Sequence, residues 1–159
     1  MIRVSDVLAA LFDAAPAYMK MEWDNVGLLC GRRTAAVTRV MVALDPMPDV
    51  FAEAKTHGCE LIVTHHPLIF QPVRAVSDES FTGENLLWLI ENGIAAVNLH
   101  TNLDCAPGGV NDILAKTLGL TDISVLDSMG QDAQGRDYGL IRTGTVAPCT
   151  LREFAEHVK

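Results

Sequence analysis

The sequence predicts an α/β fold built on a mostly parallel sheet with helices on both faces. The main observation is a β-α-β-α-β alternation, in which three short apolar runs are separated by segments of helical period. Unbroken apolar runs are typical of strands buried on both faces, as in parallel sheets. Length and composition agree, because 159 residues of which 49% are hydrophobic can bury one core. We therefore expect a single domain over residues 1–159.

The predicted elements of the core follow one another in a regular order. A first helix begins at Ser5, an N-cap candidate, and ends before Pro16. A structured loop then leads into a short strand within 21–31. The core itself consists of a strand at 39–44, a helix at 48–57, a strand at 61–63, a helix at 83–91 and a strand at 94–99. Residues 68–81 have no period and are expected to form a loop or lid.

The C-terminal part of the sequence is more polar. A helix is predicted at 110–118, closed by Gly119. Residues 139–146 alternate in hydrophobicity like an antiparallel or edge strand. Thr150 and Glu153 have the spacing of a capping box, which marks the start of another helix. Because the sequence ends nine residues after Thr150 without a cap or a polar tail, we expect the chain to stop inside that helix.

Charge and cysteine spacing exclude several classes of protein. Twelve basic against twenty acidic residues give a net charge of −8, which disfavours nucleic acid as a partner. The four cysteines never have Cys-x-x-Cys spacing, so the sequence contains neither a thiolate zinc knuckle nor a thioredoxin-type redox pair. No apolar run is long enough to span a membrane, and no signal peptide is readable. We expect a soluble protein with reduced thiols in the cytoplasm.

The candidate functional residues follow the three predicted strands. Ligands of open parallel sheets bind beyond the carboxyl ends of the strands, and right-handed crossovers bring neighbouring ends together. Polar side chains at these ends are therefore candidates for a shared site. The side chains that leave this edge and could bind a metal are Asp45, His65, His66, His100 and Asp104. Buried apolar strands seldom need imidazoles at their ends for structure, which favours metal binding over strand capping.

The adjacent histidines suggest a site for two ions. Pro67 biases His66 away from helical backbone, so the side chains of His65 and His66 diverge and could serve two ions bridged by Asp104. Imidazoles and carboxylates suit zinc, manganese, iron or nickel. Two such ions about 3.5 to 4 Å apart can activate a water molecule and hold the leaving oxygen, so hydrolysis is the reaction class that we expect. The alternative is that the two histidines only cap a strand and hydrogen-bond a loop.

Other polar residues carry weaker expectations. His57 lies in the last turn of a helix and is expected on the surface, as is His157. Cys105 is expected to be a small buried side chain rather than a metal ligand or a nucleophile. Asp24 and Asn25 form either an active-site loop or a simple tight turn, and the sequence does not choose between them.

Three motifs resemble those of one protein family. They are Glu-Trp-Asp-Asn-Val-Gly-Leu at 22–28, Val-Thr-His-His-Pro-Leu at 63–68 and Leu-His-Thr-Asn-Leu-Asp at 99–104. The sequence resembles, over its whole length, the dinuclear-metal family of GTP cyclohydrolase 1 type 2 homologues, also called Nif-three-like proteins. The resemblance implies an α/β fold, a hexameric ring (toroid) of subunits and two metal ions per subunit. His65, His66 and Asp104 match the metal-ligand positions, and His100 matches a position close to the metals.

The sequence departs from the family pattern at its C-terminal end. Family members continue further, and a His-x-x-x-Glu pair near their C-terminus completes the metal site, whereas this sequence ends at Lys159. The resemblance therefore implies that residues 1–159 supply only part of the site. Either the chain is a fragment of a longer protein or it is a short variant that binds metal weakly or not at all. The interrupted terminal helix favours a fragment.

These observations lead to one functional hypothesis and its alternatives. The hypothesis is a divalent-metal-binding protein similar to a dinuclear metal-dependent hydrolase, acting on a small molecule of unknown identity. The alternatives are a non-catalytic module that binds metal or serves as an oligomeric scaffold, and an inactive truncated fragment. The spacing does not identify a catalytic residue beyond the metal ligands, and no glycine-rich loop indicates a nucleotide cofactor.

Overall fold

A computed structural model describes residues 1–159, which divide into two compact units, Met1–Asn102 and Leu103–Lys159. The first unit holds the sheet that was expected from the apolar runs, and the second holds the polar C-terminal segment. That residues 1–159 form a single domain stays a prediction.

The first unit is a mixed α/β structure around a four-stranded sheet with the strand order β1-β4-β3-β2. Strands β2, β3 and β4 run parallel, and β1 pairs antiparallel with β4. This confirms the predicted α/β class with a mostly parallel sheet. The elements are α1 (Val4–Ala14), a 3-10 turn (Ala17–Met19), β1 (Gly27–Cys30), β2 (Val40–Ala43), α2 (Pro48–Thr56), β3 (Leu61–Thr64), α3 (Phe81–Glu91) and β4 (Ala95–Asn98), followed by α4 (Thr101–Cys105), whose last residues belong to the second unit.

The β-α-β-α-β core is present as the sequence predicts. Both crossovers step the same way across the sheet, so the right-handed rule puts α2 and α3 on one face. The core cluster on that face unites the two helices with alternate strand residues: Phe51, Ala54, Ile62, Leu86, Leu89 and Ala96. Leu61, Val63 and Val97, which alternate with these positions, are also buried, so the opposite face is covered at its centre.

Strand β2 differs from the prediction. The sequence-based expectation that this strand is buried on both faces is wrong, because β2 lies at the edge of the sheet and is paired only with β3. Val40 and Val42 are 40% and 75% exposed. A continuous apolar run looks the same whether the strand is central or at an edge, which is why the sequence pattern misled.

The start of α1 also differs from the prediction. The N-cap is Arg3 rather than Ser5, and the carboxylate of Asp6 accepts a hydrogen bond of 2.9 Å from the backbone N–H of Arg3. An acidic side chain in the first helical turn replaces the expected Ser hydroxyl, and it also complements the helix dipole. The helix therefore starts two residues earlier than the sequence predicts.

The second unit combines helices with two small antiparallel sheets. Its further elements are α5 (Val110–Thr117), β5 (Thr121–Val125), β6 (Gly130–Gln131), β7 (Asp137–Tyr138), β8 (Arg142–Thr145) and α6 (Leu151–Val158). The strand predicted near the C-terminus is β8, which pairs with β5 in a sheet of its own. The predicted capping box of α6 is present, since Thr150 Oγ1 accepts from the N–H of Glu153 at 3.2 Å and Glu153 Oε2 accepts from the N–H of Thr150 at 2.7 Å.

Across both units, none of the helices combines the length and the apolar character that crossing a membrane requires.

A glycine at the end of β1 limits how the strands can pack. Gly31 has a φ of +101°, and an added Cβ would lie 2.7 Å from Cβ of Ala95. We expect Gly31→Ala to lower the free energy of unfolding by about 3 kcal/mol, from backbone strain and steric overlap together. Gly93→Ala is the matched control, since Gly93 also has positive φ but has nothing within 4 Å of its added Cβ. Urea denaturation measures both; equal losses would show that the contact with Ala95 is unimportant.

The Glu60 carboxylate joins the beginnings of β2 and β3. The N–H groups of Thr38 and Arg39 and the Thr38 hydroxyl donate to it, and these bonds lower the pKa of Glu60 to about 2. A lowered pKa stabilises the fold above the unfolded value of 4.5, and this stabilisation is lost as the pH falls towards 2. We expect Glu60→Gln to cost about 1 kcal/mol at neutral pH after solvent screening.

The pH dependence separates this ionic contribution from simple loss of packing. The difference in unfolding free energy between the wild type and Glu60→Gln should disappear between about pH 4.5 and 2, as urea titrations at several pH values can measure. A difference that stays constant over this range would contradict the assignment.

Candidate metal centre

Three histidines converge at the carboxyl ends of β3 and β4. His65 and His66 follow β3 directly, and His100 follows β4 after Leu99. The ring centroid of His65 lies 5.1 Å from that of His66 and 5.3 Å from that of His100. The centroids of His66 and His100 are 5.8 Å apart. One ring nitrogen from each histidine lies within 4.8 Å of the others. The three side chains form what we call the histidine cluster (His65, His66 and His100).

Backbone hydrogen bonds extend the strand pairing up to the cluster. The N–H groups of His65 and His66 donate to the carbonyls of Ala43 and Leu44, at 3.3 and 3.0 Å. The Thr64 hydroxyl donates to the carbonyl of His66 at 2.7 Å. The rings of His65 and His66 are tilted by 50° to each other and nonetheless belong to the same cluster. The extended backbone thus places two successive imidazoles at one spot.

Each histidine of the cluster is anchored through Nδ1. The partners are the Leu99 carbonyl for His65 at 3.0 Å, Asp45 Oδ1 for His66 at 2.6 Å and Asp24 Oδ1 for His100 at 2.8 Å. Carbonyl and carboxylate oxygens only accept hydrogen bonds, so Nδ1 is the protonated nitrogen in each ring. A neutral imidazole of this tautomer carries its lone pair on Nε2. All three rings are therefore set up with the same atom as the donor to a metal.

The three anchors differ in burial and charge. Leu99 offers a neutral backbone oxygen, whereas Asp45 and Asp24 are carboxylates. The side chains of His66 and Asp45 are 46% and 49% exposed, so water screens this pair. The side chain of Asp24 is completely buried and that of His100 is 17% exposed. The Asp24–His100 pair is therefore the one that water weakens least.

Asp24 is itself held in place by several donors. The N–H and the hydroxyl of Thr101 donate to Oδ2, and the N–H of Asn25 donates to Oδ1. Burial alone would raise the pKa of Asp24, but the hydrogen bonds from His100, Thr101 and Asn25 outweigh it and hold that pKa below its ordinary value. Asp24 is thus an ionised, oriented carboxylate. The loop of Asp24 and Asn25 therefore contacts the histidine cluster, a placement that the sequence left open.

Two exposed aromatic rings flank one side of the cluster. The centroids of Trp23 and Phe70 each lie 6.4 Å from the ring of His100 and 5.9 Å from each other. Asn25 ties the two chain segments together, because its Nδ2 donates to the carbonyl of Ile69 at 2.8 Å. The loop expected at 68–81 is present at 68–80, because Phe81 begins α3, and its first residues reach the histidine cluster.

The structure brings together four of the residues that the sequence singled out. His65, His66 and His100 lie together, with Asp45 bonded to His66. Asp104 lies on α4 in the second unit, where its backbone carbonyl accepts from Asn111 Nδ2 at 3.3 Å. Its role as a metal ligand stays a prediction.

The remaining expectations concern residues away from the cluster. His57 is on the surface, 63% exposed and 3.8 Å from Glu53, and His157 is also exposed. Cys105 is fully buried, as expected for a small core side chain.

The rule that site residues lie beyond the carboxyl ends of strands did not identify two of the three anchors, which are Asp24 and the Leu99 carbonyl. Asp24 precedes its strand instead of following it, so the rule that looks beyond carboxyl ends does not find it. The only signal was its place in the motif at 22–28. The Leu99 anchor is a backbone carbonyl, which any residue at that position would provide.

Comparison with known proteins places the chain in a family. A model of the Duf34/NIF3 (NGG1p interacting factor 3) family matches residues 2–159. A relative from Clostridium perfringens, named GTP cyclohydrolase 1 type 2 homolog, is 36% identical over 148 residues, which are 91% of this chain and 56% of the relative. A Streptomyces coelicolor protein of the same name is 39% identical over 156 residues, 98% of this chain and 54% of the relative.

Solved structures agree with the sequence relatives. A hypothetical protein of Staphylococcus aureus has a TM-score of 0.87 and 31% identity, covering 98% of this chain and 63% of that one. Reduced HcgD from Methanocaldococcus jannaschii has a TM-score of 0.72 and 31% identity, covering 79% and 50%. This chain spans between half and two thirds of the length of these relatives. On the family match over nearly all of its residues, the chain belongs to the Duf34/NIF3 family.

Proposed function

We propose that this chain binds divalent metal ions at the histidine cluster and serves in metal-dependent hydrolysis of a small molecule. The observation that carries the proposal is the common anchoring of the three rings. Strand capping requires one hydrogen bond from one side chain, and it does not require three imidazoles to share a tautomer and a location. Metal-binding histidines almost always donate their second nitrogen to a carboxylate or a carbonyl, as these three do.

The donor set fits a divalent transition metal. Neutral imidazole nitrogens suit zinc, iron, nickel and manganese. Nitrogens that share one zinc ion at about 2.1 Å lie about 3.4 Å apart in tetrahedral geometry. The ring nitrogens here lie within 4.8 Å of one another, so closing on a single ion takes side-chain movements on the order of 1 Å. Both zinc and a dinuclear arrangement are therefore part of the proposal.

The chemistry of the proposed site follows from these ligands. A divalent ion bound there supplies Lewis-acid assistance to hydrolysis. His65, His66 and His100 would hold it, and Asp104, assigned from the sequence pattern and the family resemblance, would add a carboxylate. Asp45, Asp24 and the Leu99 carbonyl keep the three rings oriented. The name shared by the curated relatives supports hydrolysis as the reaction class.

Metal titration tests the proposal directly. Isothermal titration of zinc into the purified chain should show binding, with a stoichiometry that distinguishes one ion from two. We expect His65→Ala, His66→Ala and His100→Ala to weaken binding by more than about 100-fold, because each removes a ligand rather than an anchor. Asp104→Ala tests the carboxylate assignment in the same way. His57→Ala is the control, since His57 is exposed and lies outside the cluster.

One outcome of this titration would contradict metal binding at the histidine cluster. Heats from the cluster variants that match those of the wild type and of His57→Ala would show that any bound zinc is held elsewhere.

We further propose that the chain forms a homo-oligomer, with six copies in a ring, as the family resemblance implies. Light scattering after size-exclusion chromatography should give six times the mass of one chain. A monomeric mass would contradict the ring. A hexamer that forms without metal, and that does not hydrolyse nucleotides or phosphoesters when zinc is added, would favour the alternative of an oligomeric scaffold.

A further inference from the structure

We propose that Asp24 is the positioning residue of the metal centre: by accepting the hydrogen bond from Nδ1 of His100, it aims Nε2 of that ring into the cluster and strengthens metal binding. The inference rests on the proposed function and deepens it. It assigns the dominant orienting role to a residue that binds no metal and lies 76 positions away from its partner in the sequence.

The first argument is the environment of the pair. The distance between Nδ1 of His100 and Oδ1 of Asp24 is 2.8 Å, and the side chain of Asp24 is fully buried. A hydrogen bond to a charged acceptor is about twice as strong as a neutral one, and exclusion of water strengthens it further. The ring of His100 is therefore held in one orientation and one tautomer.

The second argument is that Asp24 cannot easily turn. Thr101 donates to Oδ2 from its N–H at 3.0 Å and from its hydroxyl at 2.5 Å. The same hydroxyl oxygen accepts from the N–H of Met21 at 3.0 Å, so its hydrogen is left to point at Asp24. Asn25 donates to Oδ1 at 2.8 Å. Rotating the carboxylate would break several bonds at once, so Asp24 transmits its own fixed orientation to His100.

The third argument comes from comparing the three anchors. His65 is anchored by a neutral carbonyl, and His66 by a carboxylate that is 49% exposed. Only His100 is anchored by an oxygen that is both charged and buried. A charged acceptor at Nδ1 makes Nε2 a better electron-pair donor, and solvent reduces this effect at Asp45. Asp45 is therefore a matched control, because it is the same residue type in the same role with more exposure.

The tautomer of His100 in the metal-free wild-type chain is the first test. Nitrogen-15 correlation spectra of the imidazole rings distinguish a proton on Nδ1 from one on Nε2. We expect His100 to carry its proton on Nδ1. A dominant Nε2–H form, or a mixture of the two, would overturn the proposal, and this readout does not depend on whether any variant folds.

Zinc affinity of two isosteric variants is the second test. Asp24→Asn should weaken zinc binding by about 10- to 100-fold, which is the usual loss of metal affinity when an orienting partner is removed. The same variant should lower the fraction of His100 rings that carry their proton on Nδ1. Asp45→Asn should weaken binding by a clearly smaller factor than Asp24→Asn, since the Asp45 carboxylate is screened by water. Equal losses in the two variants, or binding by Asp24→Asn within threefold of the wild type, would overturn the positioning role.

The two tests separate this inference from the proposed function. If the wild-type chain binds zinc but Asp24→Asn binds it equally well, the positioning role is wrong and the metal site stands. If the wild-type chain binds no zinc, the proposed function fails, and the tautomer spectrum alone decides whether Asp24 positions His100. If Asp24→Asn does not fold, the wild-type spectrum again decides.

Discussion

The parallel pairing of β3 with β4 is the constraint on which the histidine cluster depends. In this register Thr64 lies opposite Asn98, so both strands end at the same level. The pairing continues one step further through the bond from the Leu99 N–H to the Thr64 carbonyl. The Leu99 carbonyl, at the same peptide level, then anchors His65. A slip of one residue would turn every side chain of β4 to the other face, and the imidazoles could not meet.

The loop before β1 adds what the strand pairing cannot supply. Asp24 binds His100 and Thr101, and Asn25 binds Ile69 through its side chain and Asn98 through its carbonyl. One short segment thus connects the end of β4 with the loop that follows the two adjacent histidines. Strand geometry brings the rings to one place, and this loop fixes how one of them is turned. The conclusion that the motif at 22–28 is part of the site follows from these contacts.

The sequence predicted the sheet and the meeting of the histidines because both depend on local patterns. Apolar runs mark strands, and parallel strands put their ends together whatever the side chains are. The exposure of Val42 was not predictable in this way, because an edge strand and a central strand have the same apolar pattern. The sequence named Asp24 as a candidate but left its role open, because its bond to His100 joins distant parts of the chain and no periodicity encodes such a pair. The anchor of His65 is a backbone atom, which leaves no trace in residue identity.

The aromatic neighbours of His100 give the molecule a built-in optical reporter. The chain has two tryptophans, and they occupy contrasting surroundings. Trp23 is 58% exposed with its ring 6.4 Å from that of His100, whereas Trp88 packs against Phe51 in the core with the Lys55 ammonium over its ring. The Trp23 indole is therefore placed to sense a change at the His100 ring, and the Trp88 indole can serve as an internal reference.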